Sequence, residues 1–466
     1  MRSTLHRTLV AALVIACAST GLGQSNAELL RELQALKARI AELEKKLADG
    51  PAKAGTTSPA STPAPAPTGE KPKLEDSMKW SEFITGKSRF KLYGYLRADM
   101  IYDDSRTGGN GINSALVPAF VLSENGLGGA ANLAPGPGHE NFDIHPRLTR
   151  LGVDFTGPEV ESLWGAKTGG KLEIDFYNIV AGGAESREFP RLRHAYAQLK
   201  WDNASFLAGQ TSDLISQFFP TVNPDFVMWG AGNLGDRRPQ FRAEWTPKLW
   251  GGTAFVQGMA GLTGADDNRD LDANGIRDGE ASGLPTVQAR VGYRYPIWEK
   301  QNIELALWTH QAREKVSTAF GGRFNFNSEA WGLDFSTPLY KDIVNFRGEL
   351  WTGKNIDDVR GGILQGINVA TGREIHATGG WGEISVRPTK WYSFHGGFLT
   401  DNPRSADLPV SSPELNSIWY LATRLYLDPI EIGLDYLNWT TYFKDATGPQ
   451  GKGQDNRFQA SITYKF

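Results

Sequence analysis

Arginine recurs on one face of several segments in which apolar and polar residues alternate, and this is the strongest chemical signal in the chain. Residues 90–100 illustrate it, because Lys91, Arg97 and Asp99 share a single face of the segment. A guanidinium group stays charged at any working pH and binds a carboxylate through two parallel hydrogen bonds. We therefore predict binding of small anionic solutes by a set of pore-lining arginines. Six face inward, Arg97, Arg150, Arg242, Arg290, Arg294 and Arg347, and Arg193 lies near the outer end of a strand.

Acidic residues on the same faces support a second interpretation of these arginines. In that alternative the arginines have only a structural role, in which they pair with Asp99, Asp154, Glu173, Glu244 and Glu349. The alternative stays open for each single arginine, whereas the whole set favours an anion pathway.

Residues 230–235, Gly-Ala-Gly-Asn-Leu-Gly, match the glycine spacing of a dinucleotide-binding fingerprint. That fingerprint requires a preceding strand, a following helix and a downstream acidic residue. Here the glycines lie inside a long polar stretch, residues 212–238, between two alternating segments. We interpret the segment as part of a loop that folds into a pore, and we predict no nucleotide site and no other cofactor.

Residues 270–275, Asp-Leu-Asp-Ala-Asn-Gly, begin like a calcium-binding loop, with oxygen ligands at alternate positions and glycine at the turn. The bidentate acid of such a loop belongs six residues after the glycine, where Ala281 stands, and Glu280 comes one position early. We therefore assign no metal ligands, and calcium binding by this loop stays open.

The histidines of this sequence show no spacing that is typical of a catalytic site. His194 and His310 are predicted to face inward, without acidic or nucleophilic partners at a recognisable spacing. The sequence contains neither an HExxH motif nor a hydrolase nucleophile elbow. We therefore predict that the protein is not an enzyme.

The composition fits an exported β protein. The chain has 466 residues, of which 40% are hydrophobic and 53 are glycine, and its net charge is −3. No apolar run reaches the roughly 18 residues of a membrane-spanning helix. A nearly neutral charge gives no basis for nucleic-acid binding. Cys17 is the only cysteine, which excludes disulfides within the chain.

Three segments precede the main domain. Residues 1–23 are predicted to be a signal peptide, with basic residues before an apolar run. An alternative is lipidation of Cys17 within a lipoprotein box. Residues 24–49 carry leucine or isoleucine at heptad a and d positions and predict a short coiled coil. A single amphipathic helix is the alternative there. Residues 50–88 are rich in proline and predict a linker.

Residues 89–466 are predicted to form a transmembrane β-barrel of about sixteen antiparallel strands. The last segment, 456–466, alternates strictly and ends on Phe466, so one face of a closing strand would meet lipid. Short turns alternate with long polar loops, which we predict at 103–146, 212–238, 262–284, 311–328, 354–378, 400–414 and 440–455. Aromatic residues flank the short turns, as they do at a membrane interface: Trp201, Trp245, Trp250, Trp298, Trp391 and Tyr426.

The order of these segments resembles the DcaP-like outer-membrane porins. The resemblance rests on LYGYLRADMIYD at 92–103, HPRLTRLGVDFTGP at 145–158 and RLRHAYAQLKW at 191–201, after a heptad segment and a proline-rich spacer. It implies a homotrimer of sixteen-stranded channels with a periplasmic coiled coil, passing small anions such as dicarboxylates. It also implies a place in the bacterial outer membrane, in contact with lipid and lipopolysaccharide.

Two alternatives remain. A phosphate-selective porin shares the strand number and the terminal phenylalanine, but we do not expect it to carry the heptad segment followed by this spacer. The second alternative is a barrel that is not a channel, either an adhesin or an enzyme.

Overall fold

The computed structural model describes the barrel domain with a few gaps. The described residues are 82–85, 87–108, 118–123, 140–177, 189–222, 228–265, 269–298, 301–444 and 451–466. The predicted signal peptide and coiled coil, Cys17 and most of the predicted linker lie outside these residues, so the statements about them remain predictions.

Sixteen long strands within the described residues form one antiparallel sheet. Each strand pairs with the next, and the last pairs with the first from Tyr95 opposite Lys465 to Asp103 opposite Arg457, which closes the barrel. The predicted fold is therefore confirmed for this domain. In chain order the strands are β1 Ser88–Asp103, β2 Arg150–Val160, β3 Ala166–Asp175, β4 Arg191–Lys200, β5 Ala204–Ser212, β6 Arg237–Trp245, β7 Gly252–Gly261, β8 Thr286–Trp298, β9 Gln301–Phe320, β10 Arg323–Tyr340, β11 Val344–Lys354, β12 His376–Val386, β13 Tyr392–Pro403, β14 Pro413–Leu427, β15 Ile430–Phe443 and β16 Lys452–Lys465.

The other elements of the described residues are short. Strands Glu82–Thr85 and Asn141–His145 pair with β1, and Lys248–Leu249 pairs with β7. Two small hairpins lie in loops, Thr107–Gly108 with Phe120–Val121 and Ile367–Asn368 with Arg373–Glu374. The helical turns are Glu161–Leu163, Asp278–Ala281, Asp357–Val359, Gly362–Leu364 and Ser405–Asp407. None of the helices described is both long and apolar enough to cross a membrane.

The two faces of the sheet differ as the alternation predicts. Along β16, Phe458, Ile462 and Tyr464 point outward and are half exposed, whereas Arg457 and Gln459 point inward and are buried. At the short turns Trp164 and Trp250 are 86% and 87% exposed. An apolar outer band edged by aromatic residues is the surface that a barrel presents to a bilayer.

One predicted loop is wrong. Residues 311–328, expected to form a long loop, continue β9 and β10 to a two-residue turn at Gly321 and Gly322. Both glycines have positive φ, as a tight hairpin turn requires. The strands here keep the alternation, because Val316 and Phe326 are buried between more exposed residues. The outward-facing residues of these strand ends are polar, which makes the segment similar to a loop in sequence.

Candidate functional site

A long loop between β5 and β6 folds into the barrel. We call residues 213–236 the inward loop; residues 223–227 of it are not among those described. Trp351 on the inner face of β11 donates its indole N–H to the carbonyl oxygen of Gly232 at 2.7 Å. Asn416 on the inner face of β14 donates to the carbonyl oxygen of Gly230 at 2.6 Å. The inward loop therefore lies against the wall formed by β11 to β14.

Glycine is required where the inward loop meets this wall. Gly232 has a φ of +119°. A Cβ atom on Gly232 would stand 2.4 Å from the carbonyl oxygen of Gly380 and 2.7 Å from that of Thr400. The glycine spacing at 230–235 thus serves close packing against a strand backbone, and the segment is a loop folded into the barrel, as its sequence context predicts.

A buried ion-pair network anchors the start of the inward loop. Arg238 is fully buried and donates to Asp213 at 2.6 Å and to Asp358 at 2.7 Å. Asp358 belongs to the loop 355–375, and the backbone N–H of Gly235 donates to the carbonyl oxygen of Val359 in that loop at 2.9 Å. Arg238 therefore joins β6, the inward loop and loop 355–375.

Five arginines gather on the inner wall around three carboxylates, and we call them the basic cluster: Arg150, Arg191, Arg193, Arg237 and Arg360. Glu173 and Asp175 on β3 form ion pairs with Arg150, Arg191 and Arg193. Arg193 bridges the two carboxylates at 2.7 Å and 2.9 Å, and Arg191 pairs with Asp175 at 2.7 Å. Arg150 lies 3.5 Å from Glu173. Among the described residues, five guanidinium groups share three carboxylates, so this part of the wall carries an excess of positive charge.

The third carboxylate of the basic cluster belongs to Asp236, at the end of the inward loop. Arg237 and Arg360 pair with it at 3.0 Å and 2.8 Å. Burial alone would raise the pKa of Asp236, but Arg237, Arg360 and the nearby Arg191 hold it well below its usual range. The carboxylate therefore stays ionised, and the charge excess does not depend on its titration near neutral pH.

The other predicted arginines lie elsewhere on the wall. Arg97 pairs with Asp99 at 2.7 Å, and Arg347 pairs with Glu383 at 3.0 Å. Arg290 and Arg294 share Glu304, and their guanidinium groups also stack near the ring of Phe255. Arg242 donates to Gln240 and to the carbonyl oxygen of Ser212, and no carboxylate among the described residues lies within 4 Å of it.

Of the seven predicted arginines, the fold joins Arg150 with Arg193, and Arg290 with Arg294. Sequence reasoning missed the remaining members of the basic cluster. Arg191 alternates with Arg193 on β4, a signal that was available in the sequence. Arg360 lies in a loop, where alternation carries no information.

Ser393, His395 and Glu383 are arranged in the order of the Ser-His-acid triad of hydrolases. Ser393 Oγ lies 2.7 Å from Nε2 of His395, and Nδ1 of His395 lies 3.4 Å from Glu383. Ser393, however, is only 2% exposed, and its hydroxyl also bonds Tyr426. Glu383 is shared with Arg347. We therefore interpret this set as a hydrogen-bonded part of the wall.

The predicted inward histidines are likewise bonded within the wall. His310 is fully buried between Gln288 and Ser328, at 3.2 Å and 3.0 Å. His194 Nδ1 lies 3.0 Å from the hydroxyl of Thr211. Both histidines are thus hydrogen-bonded to neighbouring residues of the wall.

Comparison with solved structures identifies the fold. The outer membrane channel DcaP of Acinetobacter baumannii aligns with a TM-score of 0.60 and 18% identity, over 81% of this chain and 97% of that chain. The fold is that of an outer-membrane porin. OmpF of Salmonella typhi, solved in complex with daunomycin, aligns with a TM-score of 0.50 and 12% identity, over 83% of this chain and all of that porin. No family model and no curated protein matches the sequence.

The resemblance to the DcaP-like porins is thus confirmed for the fold. The porin fold also explains the location of the basic cluster. It turns the arginine-bearing face of the neighbouring strands β2, β4 and β6 toward the lumen, where Arg360 of loop 355–375 joins them.

Proposed function

We propose that this chain forms a passive diffusion channel for small anionic solutes, dicarboxylates among them, in the bacterial outer membrane. The observation that carries the proposal is the excess of arginine over carboxylate in the basic cluster on the inner wall. DcaP, whose fold this chain shares, is an outer membrane channel. We further propose a homotrimer whose apolar outer band contacts lipid and lipopolysaccharide, with the predicted coiled coil in the periplasm.

The selectivity follows from charge and geometry. In open water a single charge is screened over about 8 Å at physiological salt. A narrow lumen with walls of low dielectric constant concentrates the field of several charges and strengthens it. The inward loop ends beside the cluster, since its last residue, Asp236, pairs with Arg237 and Arg360. A solute with two carboxylates engages two guanidinium groups at once, so dicarboxylates gain more than monovalent anions.

The alternatives differ in what they predict for transport. A phosphate-selective channel would also use the arginine excess, but it would favour inorganic phosphate over a dicarboxylate. An adhesin needs no open lumen, and an enzyme needs an accessible nucleophile, whereas Ser393 in the triad-like set is buried.

Solute flux into proteoliposomes tests the proposal. Vesicles containing the refolded protein are mixed with succinate, inorganic phosphate, a neutral sugar or a diamine of similar size, and their swelling rates are compared. We expect succinate to enter fastest, with the sugar and the diamine slower, because only the anions meet a favourable field. Vesicles without protein are the control. Equal rates for all four solutes would refute the selectivity, and no swelling beyond the control would refute the channel.

A further inference from the structure

Three aspartates of the loop between β7 and β8 gather at the long-loop end of the barrel. Oxygen atoms of Asp270, Asp272 and Asp278 lie within 4.8 Å of one another. Asp270 and Asp272 belong to the Asp-Leu-Asp-Ala-Asn-Gly segment, and Asp278 begins the short helix Asp278–Ala281. These three residues, the aspartate cluster, belong neither to the basic cluster nor to its carboxylate partners.

Backbone N–H groups hold the three side chains in place. Asp270 accepts from the backbone of Asn274 at 3.0 Å and of Gly275 at 2.8 Å. Asp278 Oδ2 accepts from the backbone of Leu271 at 3.0 Å. These bonds orient the carboxylates toward one another without neutralising their charge.

Asp272 connects the aspartate cluster to β9. Its Oδ2 accepts from the backbone N–H of Thr318 at 3.0 Å and from that of Ser317. The side-chain amide of Asn274 also donates to the hydroxyl of Ser317 at 2.9 Å. A ligand bound by the aspartates would therefore stabilise the contact between this loop and the end of β9.

One oxygen of each of two aspartates lacks a partner. Asp278 is fully buried, and its Oδ1 has no hydrogen-bond partner among the described residues; the same holds for the buried Oδ1 of Asp272. Buried carboxylates are ordinarily paired with hydrogen-bond donors or cations, so these free oxygens indicate a missing positively charged partner.

The nearest cationic side chains are already engaged. Arg277 pairs with Glu280, and Arg269 pairs with Asp357 of loop 355–375. Each of these arginines thus has an acidic partner that lies outside the aspartate cluster.

We propose that the aspartate cluster binds a calcium ion. Oxygen atoms are the ligands of hard divalent cations, and calcium accepts irregular sets of carboxylates more readily than magnesium, which requires a near-ideal octahedron and retains water. Asp270, Asp272 and Gly275 keep the spacing of the first half of a calcium loop. The acid that is missing at Ala281 is replaced by Asp278, three residues after Gly275 and turned inward.

Calorimetric titration of the full mature chain with calcium chloride tests the site. The protein is refolded in detergent without lipopolysaccharide, because that lipid binds calcium itself. We expect saturable binding of one calcium ion per chain, with a Kd of about 10⁻⁴ to 10⁻³ M, the range of extracellular calcium modules. We also expect calcium to raise the unfolding temperature, since a ligand that binds only the folded state stabilises it. Magnesium at the same concentration should compete weakly.

The double variant Asp272→Asn, Asp278→Asn supplies the decisive comparison. It should weaken calcium binding by about tenfold or more, because the charge of the ligands sets the affinity, and it should abolish the calcium-dependent rise in unfolding temperature. Glu280→Gln is the matched control, since this exposed acid of the same loop lies outside the cluster and should leave binding unchanged.

A shift in gel mobility on boiling confirms that each variant is folded. The proposal is overturned if the folded wild-type chain shows no saturable calcium binding, or if the folded double variant binds calcium as tightly as the Glu280→Gln control.

Discussion

Arginine side chains on the inner wall differ in burial and in charge balance. Arg290 is 1% exposed and contacts both Asp334 and Glu304. Arg150 and Arg191 in the basic cluster keep about a fifth to a quarter of their side-chain surface exposed. The structural interpretation therefore describes Arg290 well, whereas the anion-binding interpretation suits the basic cluster better.

Replacing Arg290 by alanine should destabilise the barrel strongly. The change leaves Asp334, which is fully buried, without its cation. Removing one partner of a buried ion pair costs about 3 to 5 kcal/mol. Urea unfolding of the refolded protein measures the loss.

Arg294→Ala is the matched control for Arg290→Ala. Arg294 shares Glu304 with Arg290, but its side chain is 37% exposed, so its removal should cost about 1 kcal/mol or less. Equal losses for the two variants would show that burial does not govern the contribution of these arginines.

The sequence predicts which face an arginine occupies but not which residue it contacts. Alternation placed Arg97 and Asp99 on one face, and they pair in the structure. The partner of Arg290 lies 44 residues away, and Asp358 lies 120 residues from Arg238. Such contacts depend on strand register and loop conformation, which local patterns do not encode.

At the level of elements, strands were more predictable than loops. Strict alternation marked β1 and β16 because their two faces meet different surroundings. The loop predicted at 311–328 was wrong, because its residues keep a strand conformation up to the Gly321–Gly322 turn. The inward position of loop 213–236 depends on specific bonds to Trp351 and Asn416, which appear only after the barrel closes.

Replacing Gly232 by alanine should displace the inward loop without opening the barrel. The added Cβ would meet two backbone oxygen atoms within 2.7 Å, and the φ of +119° disfavours any side chain. We expect a larger and noisier single-channel conductance in planar bilayers, because the loop no longer packs against β12 and β13. Strand pairing is untouched, so the gel shift on boiling should persist.

Gly258→Ala is the control for this change. A Cβ on Gly258 meets no atom within 4 Å, so the wild-type conductance should be retained. An unchanged conductance in the Gly232 variant would show that the contact with the wall does not hold the loop inside the lumen.

The whole molecule depends on closure of the sheet. Pairing of β1 with β16 removes the free edges that would otherwise expose unpaired backbone groups to lipid. Closure also turns one face of every strand toward a common lumen, so the arginines that neighbouring strands β2, β4 and β6 contribute to the basic cluster face that lumen. The proposed selectivity therefore requires the closed barrel.

A variant that removes the charge excess but keeps the carboxylates paired isolates the effect of the basic cluster. Arg193 contacts both Glu173 and Asp175, so these acids retain a partner when Arg150 and Arg191 become glutamine. Three arginines then face three carboxylates in the cluster.

The zero-current potential across a planar bilayer under a potassium chloride gradient measures whether the channel prefers anions. We predict a potential of the sign that marks chloride preference for the wild type, larger at low salt because screening is weaker. The variant Arg150→Gln, Arg191→Gln should move toward zero, while Arg313→Gln, Lys315→Gln, an equal charge change at exposed positions of β9, should match the wild type. A wild-type channel that prefers cations, or a cluster variant with unchanged preference, would show that the basic cluster does not select anions.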